Sequence, residues 1–231
     1  MWLNKEHVLD EAISAYRHAL RQASPRHLVI DNLFSSAKLD EVLGILRLEQ
    51  NWQTQKHSYS ALYVDEAKWQ KTRQPQRFVQ RDLWQRPALT AADPAADIAL
   101  QFLQYLRGAE FMALLSRLFK VQLTDVNVAK PEVNTNYFRL GASDFVNQHA
   151  DDSPGREVCM LLYLNTDWQP NNGGELVFMG NNDAPITIAP QHNRCVLFDP
   201  ASPGAEHWVK PLTEAAPGAY RYNVTSWYWS E

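Results

Sequence analysis

Cysteine, long apolar runs and excess basic charge are all scarce in this chain. It has two Cys in 231 residues, and 22 Lys and Arg against 26 Asp and Glu. Each scarcity excludes something. Cys159 and Cys195 lie inside apolar runs, EVCMLLYL and NRCVLF, where a free thiol behaves as a small buried hydrophobe. Structural thiols in a reducing cytoplasm are the expectation, and a disulfide is the alternative, since sequence does not place the two Cα atoms. No stretch approaches the roughly 18 apolar residues of a membrane span. At the N-terminus, MWLNKEHVLDEAISAYRHAL breaks its apolar residues with charges before a signal-peptide core can form. A net charge of −4 gives no long-range positive field, so neither nucleic acid nor an acidic membrane is an expected partner. There is no internal repeat, low-complexity tract or interdomain linker, and nothing here fixes an oligomeric state.

What remains is ordinary globular composition, 45% hydrophobic and 21% charged, with a high aromatic share that includes eight Trp and nine Tyr. Large aromatics favour sheets and pocket walls. The length suits one domain, 1–231, divided into a mainly helical support region at 1–120 and a β-rich core at 121–231. From Lys5 to about Gln22, Val8, Leu9, Ala12, Ile13, Tyr16 and Leu20 form a helical stripe that Ser24-Pro25 stops. HLVIDNLF, His27 to Phe34, reads as a short strand. Ser35-Ser36 then caps a second helix carrying Leu39, Val42, Leu43 and Leu46. A third helix starts at Asp93-Pro94 and runs to about Arg107, and Gly108 separates it from a fourth ending near Lys120.

Beyond Val121 the apolar runs shorten to strand length between Gly, Pro, Asn and Asp. The predicted strands are 121–128, 133–139, 145–149, 158–164, 175–179, 185–188, 194–199, 207–210 and 220–229. Helices first and strands later give α+β, with the N-terminal helices packed on one sheet of a double-stranded β-helix, or jelly roll.

Within that strand-rich half, His149, Ala150 and Asp151 make an H-x-D triplet, with His207 later and Arg221 after it. Alternation in an extended strand lets residues i and i+2 reach one ion while residue i+1 points away. Two imidazoles and one carboxylate occupy one face of an octahedral Fe(II) and leave positions open for other ligands. Alone, the triplet is weak, because a surface histidine beside solvated acids has the same spelling. Context discriminates: LYLNTDW (Leu162 to Trp168), GGEL (Gly173 to Leu176) and RYNVTSWYW (Arg221 to Trp229) accompany it.

With these motifs, the stretch from about Tyr137 to Trp229 resembles the catalytic core of the 2-oxoglutarate- and Fe(II)-dependent oxygenases. Within them it is most similar to the prolyl-hydroxylase branch, which includes oxygen-sensing and ribosomal-protein prolyl hydroxylases. The resemblance implies that His149, Asp151 and His207 are both the catalytic centre and the metal ligands. It implies that Arg221 pairs with the distal carboxylate of 2-oxoglutarate, that Tyr163 donates its hydroxyl to the same carboxylate and that Thr225 lines the pocket. Tyr137 aligns with a pocket tyrosine on the co-substrate or substrate side. The His207 to Arg221 interval is longer than usual for the branch, owing to a TEAAPGA-like insert; Lys210 is the only rival to Arg221 and lies too near His207.

The implied chemistry is a dioxygenase reaction with Fe(II), 2-oxoglutarate as co-substrate, dioxygen and ascorbate as candidate reductant, which hydroxylates an unactivated C–H and releases succinate and CO2. Related halogenases lack the carboxylate that Asp151 supplies, so hydroxylation is favoured. The implied substrate is a prolyl residue of a protein or peptide. Two alternatives stay open: a hydroxylase of a free amino acid or small metabolite, and a non-catalytic jelly-roll sensor that binds metal and 2-oxoglutarate.

Other features are less specific. Tyr163 could equally be a plain core aromatic. Gly173-Gly174 is read as a turn needing positive φ or close strand approach, with no chemistry. His192, in PQHNR, is read as exposed, and His7, His18, His27 and His57 have no partner pattern. KWQKTRQPQRFVQRDLWQRP, Lys68 to Pro87, interleaves Arg73, Arg77, Arg81 and Arg86 with Trp69, Phe78 and Trp84. It is either a solvated strand, the plainer reading, or a basic aromatic lid over the pocket, with the upstream SYSALYV as a second strand at the opening.

Overall fold

The computed structural model describes residues 1–86, 94–182, 184–213 and 220–230. In chain order the helices and strands are α1 (Asp10–Gln22), β1 (His27–Asp31), α2 (Ser36–Leu46), β2 (Trp52–Ser58), α3 (Glu66–Lys71), β3 (Arg77–Trp84), α4 (Pro94–Leu106), α5 (Ala109–Phe119), β4 (Leu123–Thr124), β5 (Thr135–Leu140), β6 (Phe145–Val146), β7 (Arg156–Tyr163), β8 (Leu176–Phe178), β9 (Ile186–Ile188), β10 (Arg194–Phe198), β11 (His207–Val209) and β12 (Arg221–Ser230). A nine-stranded sheet runs β1-β10-β7-β12-β5-β3-β2, with β4 on the far end of β12 and β6 beside β3; a three-stranded sheet runs β11-β8-β9. All pairings are antiparallel. No helix among the described residues is long and apolar enough to cross a membrane.

Period-two alternation in the central strands builds two cores from one backbone. On β7, Val158, Met160 and Leu162 join the large core under the helices, whereas Cys159, Leu161 and Tyr163 face the small sheet. On β10, Cys195 and Leu197 go to the helices, and Val196 and Phe198 to the small sheet. The two thiols are therefore free, buried and on opposite faces of the large sheet, which rules out the disulfide alternative. On β12, Tyr222, Val224 and Tyr228 face the helices, leaving Arg221, Asn223, Thr225 and Trp227 for the other side. α1, α2, α4 and α5 each supply an apolar stripe to the large core, for example Leu39, Val42, Leu43 and Leu46 from α2 and Phe111, Leu114, Leu115 and Leu118 from α5.

The α+β jelly-roll expectation holds, with corrections. The first 120 residues supply three strands of the large sheet besides the helices, because β1 zips onto β10 and the β2-β3 hairpin onto β5. The Lys5 to Gln22 stripe splits into a 3-10 turn, Lys5–Val8, and α1. α4 starts at Pro94 as expected, and its proposed cap Asp93 lies outside the described residues, as does 214–219 of the TEAAPGA insert. The predicted strand 121–128 shrinks to two residues, and 145–149 likewise. KWQKTRQ is helix α3 and its exit rather than strand, with Asp65 capping the helix by accepting from the Lys68 amide at 2.8 Å. SYSALYV is a turn after β2, closed by the Ser58 amide donating to the Ala61 carbonyl.

Candidate metal and co-substrate site

The residues of the site sit where the large sheet meets the small one. His149 and His207 form an isolated antiparallel bridge with reciprocal backbone hydrogen bonds of 3.0 Å, and their ring centroids are 4.4 Å apart. Each ring is oriented by a local carbonyl: His149 Nδ1 is 2.9 Å from Asn147 O, and His207 Nδ1 is 3.0 Å from Ala205 O. An Nδ1–H donated to a carbonyl leaves each Nε2 lone pair free for a metal. Asp151 lies outside any strand, so alternation explains only half of the H-x-D geometry: Ala150 points out to solvent, but neighbours place the carboxylate. Arg156 Nη1 donates to the Asp151 carbonyl at 2.7 Å and to Oδ1 at 3.2 Å, and Trp227 Nε1 donates to Oδ2 at 2.8 Å. One ligand atom from each of His149, Asp151 and His207 lies within 4.8 Å of the others, a spread that one ion can span.

Electrostatics keep the triad ready for a cation. Burial alone would raise the Asp151 carboxyl, but His149, His207, Arg156 and the Trp227 indole outweigh it and hold it below the usual carboxylate range. Burial pushes the His207 imidazole down to about 4, so at neutral pH it is an uncharged electron-pair donor. Cys159 Sγ is 3.8 Å from Asp151 Oδ2, and burial raises its thiol well above the ordinary value, so it remains protonated.

Behind the triad lies a second constellation. Arg221 is 4% exposed, and its Nη1 donates to Asn223 Oδ1 at 2.9 Å; Asn223 Nδ2 in turn donates to Thr225 Oγ1 at 2.9 Å. Arg221 Nε and Nη2 and the Tyr163 hydroxyl are buried with no hydrogen-bond partner among the described residues. The guanidinium carbon is 4.8 Å from the Tyr163 ring centroid. Burying such donors unpaired costs about 1–3 kcal/mol each, more for a charged group. Three convergent orphaned donors therefore call for an acceptor from outside the chain, and a carboxylate meets a guanidinium fork in two places at once. Gly173 and Gly174, both at positive φ, make room for this. A Cβ at Gly174 would stand 2.8 Å from Arg221 Cδ, and one at Gly173 only 2.1 Å from the Pro211 carbonyl oxygen. Lys210 is half exposed and paired with Glu175 at 3.8 Å.

One predicted site residue is misplaced. Tyr137 faces the helices, wholly buried, donating its hydroxyl to the Ala99 carbonyl at 2.9 Å and meeting Trp84 edge to face. Register explains this: Tyr137 pairs with Val224, a helix-facing position of β12, so its neighbour Phe138, opposite Asn223, faces the site instead. Among the histidines, His192 is half-buried beside Asp40 at 3.2 Å rather than exposed. His57 is 6% exposed and reaches the site through Phe78, which lies 5.8 Å from its ring and 5.6 Å from that of His149. Sequence reasoning missed Asn223 and Trp227, although alternation from Arg221 already puts both on its face. Arg156 had no local signal.

Residues 135–229 match the family model described as 2OG-Fe(II) oxygenase superfamily. A comparison with curated protein sequences finds no match. Among solved structures, a Pseudomonas putida prolyl-4-hydroxylase superposes with a TM-score of 0.61 at 16% identity, covering 95% of this chain and 99% of that one. A prolyl hydroxylase from Trichoplax adhaerens, solved with a hypoxia inducible factor oxygen degradation domain peptide fragment, gives 0.61 at 20% identity, over 98% and 94%. A Burkholderia pseudomallei oxidoreductase of the 2OG-Fe(II) oxygenase family gives 0.61 at 14%, over 96% and 92%. These identities speak for the fold, and the family match speaks for the chemistry its donors suit. Residues 135–229 thus carry the pattern of the 2OG-Fe(II) oxygenase superfamily, whose members use Fe(II), 2-oxoglutarate and dioxygen, and the chain shares the fold of prolyl hydroxylases, which together support a dioxygenase.

Proposed function

We propose that His149, Asp151 and His207 hold the iron, that Arg221 and Tyr163 hold the distal carboxylate of 2-oxoglutarate, and that the enzyme hydroxylates a prolyl residue in a protein or peptide. The observation that carries the co-substrate assignment is the set of orphaned donors on Arg221 and Tyr163, buried on the site-facing side of the sheet with only Asn223 taking one bond. When bound, iron and its keto-acid partner supply, with dioxygen, the oxidant that turns C–H into C–OH while succinate and CO2 leave.

The chain's own part is orientation and exclusion of water. Arg156 and Trp227 fix the two carboxylate oxygens of Asp151, so its approach to the ion is set before the ion arrives. Asn223 holds one Arg221 nitrogen, aiming the two unpaired ones at the keto acid, and Thr225 continues that chain toward the triad side. Leu161, Phe178, Val196 and Phe198 form a dry floor beneath His207. The Trichoplax relative, solved with a peptide, supports a peptide substrate for this chain.

The test is succinate release from 2-oxoglutarate with added Fe(II) under air, joined to mass spectrometry for one added oxygen on prolyl peptides. Succinate that disappears in His149→Ala, with oxygen gained on a peptide proline, is the expected result. Oxygen gained on free amino acids instead would move the substrate to the metabolite class. Binding of metal and 2-oxoglutarate without any turnover would make the chain a sensor.

A further inference from the structure

The β2-β3 hairpin carries a second cation to the site, one that neither iron nor 2-oxoglutarate uses. Leu83 and Arg81 of β3 point to the site side of the large sheet. Register partners run across it from Tyr163 to Asn223, Phe138 and Leu83, and Arg81 stands one same-face position along from Leu83. The Arg81 guanidinium lies over the Phe138 ring, 3.5 Å from its centroid, and its buried Nε has no partner among the described residues. Its neighbours differ. Arg139 pairs with Asp82 at 2.9 Å and Arg156 with Asp151 at 3.2 Å, whereas no ion pair holds Arg81 among the described residues. Beside it, His57 is buried with both ring nitrogens unpartnered.

We propose that Arg81 is the anchor for a carboxylate on the substrate, and that this carboxylate is the side chain of an acidic residue next to the target in a peptide. The inference rests on the oxygenase reading above and adds the substrate's charge. A divalent ion and the guanidiniums of Arg81, Arg156 and Arg221, set against Asp151, together carry four net positive charges, of which the co-substrate dianion would remove two. Two positive charges remain, Arg81 among them with Asp151 and Arg221 as electrostatic neighbours, and Glu175, the acid near Arg221, is already beside Lys210. Stacked on Phe138, the guanidinium keeps its edge free for two parallel hydrogen bonds to a carboxylate. A chain rather than a free amino acid is favoured by the rim. Tyr59, Leu62 and Tyr63 are 53%, 64% and 72% exposed on the turn after β2. Tyr63 lies 4.9 Å from the His57 ring, and the Tyr59 hydroxyl donates at 2.8 Å to the carbonyl of Gln148, next to His149. This apolar strip continues outward from the Arg81 corner, where flanking residues of a peptide would lie.

The test uses the full chain loaded with Mn(II) and 2-oxoglutarate without oxygen, mixed with a randomised five-residue peptide library centred on proline, and with free L-proline and L-aspartate. Retained ligands are identified by mass spectrometry and their Kd measured by calorimetry. Expected are peptides with Asp or Glu within two positions of proline, and Arg81→Gln weakens them on the order of 10- to 100-fold, the value of a charge-assisted bond. Arg81→Lys keeps the charge without the fork and retains the acidic preference at lower affinity, which decides the matter even where the Gln variant does not fold. Neutral peptides retained as well as acidic ones, or acidic peptides held equally by wild type and Arg81→Gln, would overturn the proposal, as would retention of no carboxylate-bearing ligand. Retention of only the free amino acids would keep the Arg81 anchor and overturn the peptide. Failure of the wild-type chain to bind 2-oxoglutarate in the same calorimeter would instead strike the underlying oxygenase reading.

Discussion

The two faces of β12 both carry polar groups and treat them oppositely. Toward the helices, the Tyr228 hydroxyl donates to Leu106 O at 2.9 Å and the Ser226 hydroxyl sits 2.5 Å from that of Thr135, so each polar group finds its partner within the chain. Toward the small sheet, Arg221 keeps two nitrogens and Tyr163 across the strands its hydroxyl without partners among the described residues, and Trp227 spends its indole on the Asp151 carboxylate. One strand with one backbone hydrogen-bond ladder thus supports stability on one side and ligand binding on the other. Incomplete hydrogen bonding thus marks the face where the co-substrate site is proposed.

That contrast can be broken by substitution on either face. The largest effect is expected from Asp151→Asn, which removes succinate formation to background while an amide oxygen is kept as an acceptor for Trp227, so that thermal unfolding of the metal-free chain changes less than activity does; a collapse of both together would show that the faces are not separable. Leu162→Ala, on the helix side of β7, should cost about 2–5 kcal/mol by cavity formation, seen in denaturant midpoints, with 2-oxoglutarate affinity retained in the folded fraction. Arg221→Gln should weaken 2-oxoglutarate on the order of 10- to 100-fold by calorimetry and leave stability unchanged or higher, since a buried unpaired charge is removed. Gly174→Ala should repeat the affinity loss by displacing Arg221 Cδ, now with a stability cost from its positive φ. Trp227→Phe should loosen metal binding about 10-fold, read as a shift in Mn(II) affinity, because Asp151 Oδ2 loses its donor.

The smallest effect concerns pH. Burial, with lesser contributions from Arg81 and His149, pushes the His57 imidazole down to about 4, against about 6.5 in an unfolded chain. As pH falls the unfolded chain takes up this proton first, so the stability is complete above about pH 6.5 and is lost on the way down to about 4. His57→Phe should therefore flatten the acid limb of the stability curve by about 1–2 kcal/mol at pH 5. An unchanged limb would assign the loss to other groups, such as His207.

Much of the site was legible in the sequence because it is written in short periods. His149, Asp151 and His207 come from a triplet and one partner, and Arg221 to Thr225 from alternation along one strand. Tyr137 misled because a tyrosine in a strand faces either side with equal local logic, and its pairing with Val224 decided which. The helical stripes and the cysteine environments were likewise local. The three strands donated by the first 120 residues were not, since β1 is chosen by β10 from more than 160 residues away, as Asp31 opposite Arg194 shows.

By itself, then, the sequence determined which residue types alternate along each strand, and with them the donor set proposed for a divalent ion and the guanidinium proposed for a keto acid. Only the tertiary structure decided which face each strand shows, that Arg156 and Trp227 would clamp Asp151, and that Arg81 would arrive beside them from a distant hairpin. The physical reason is that side-chain alternation has a fixed period of two, while its phase relative to the core is set by long-range register, which local chemistry does not encode.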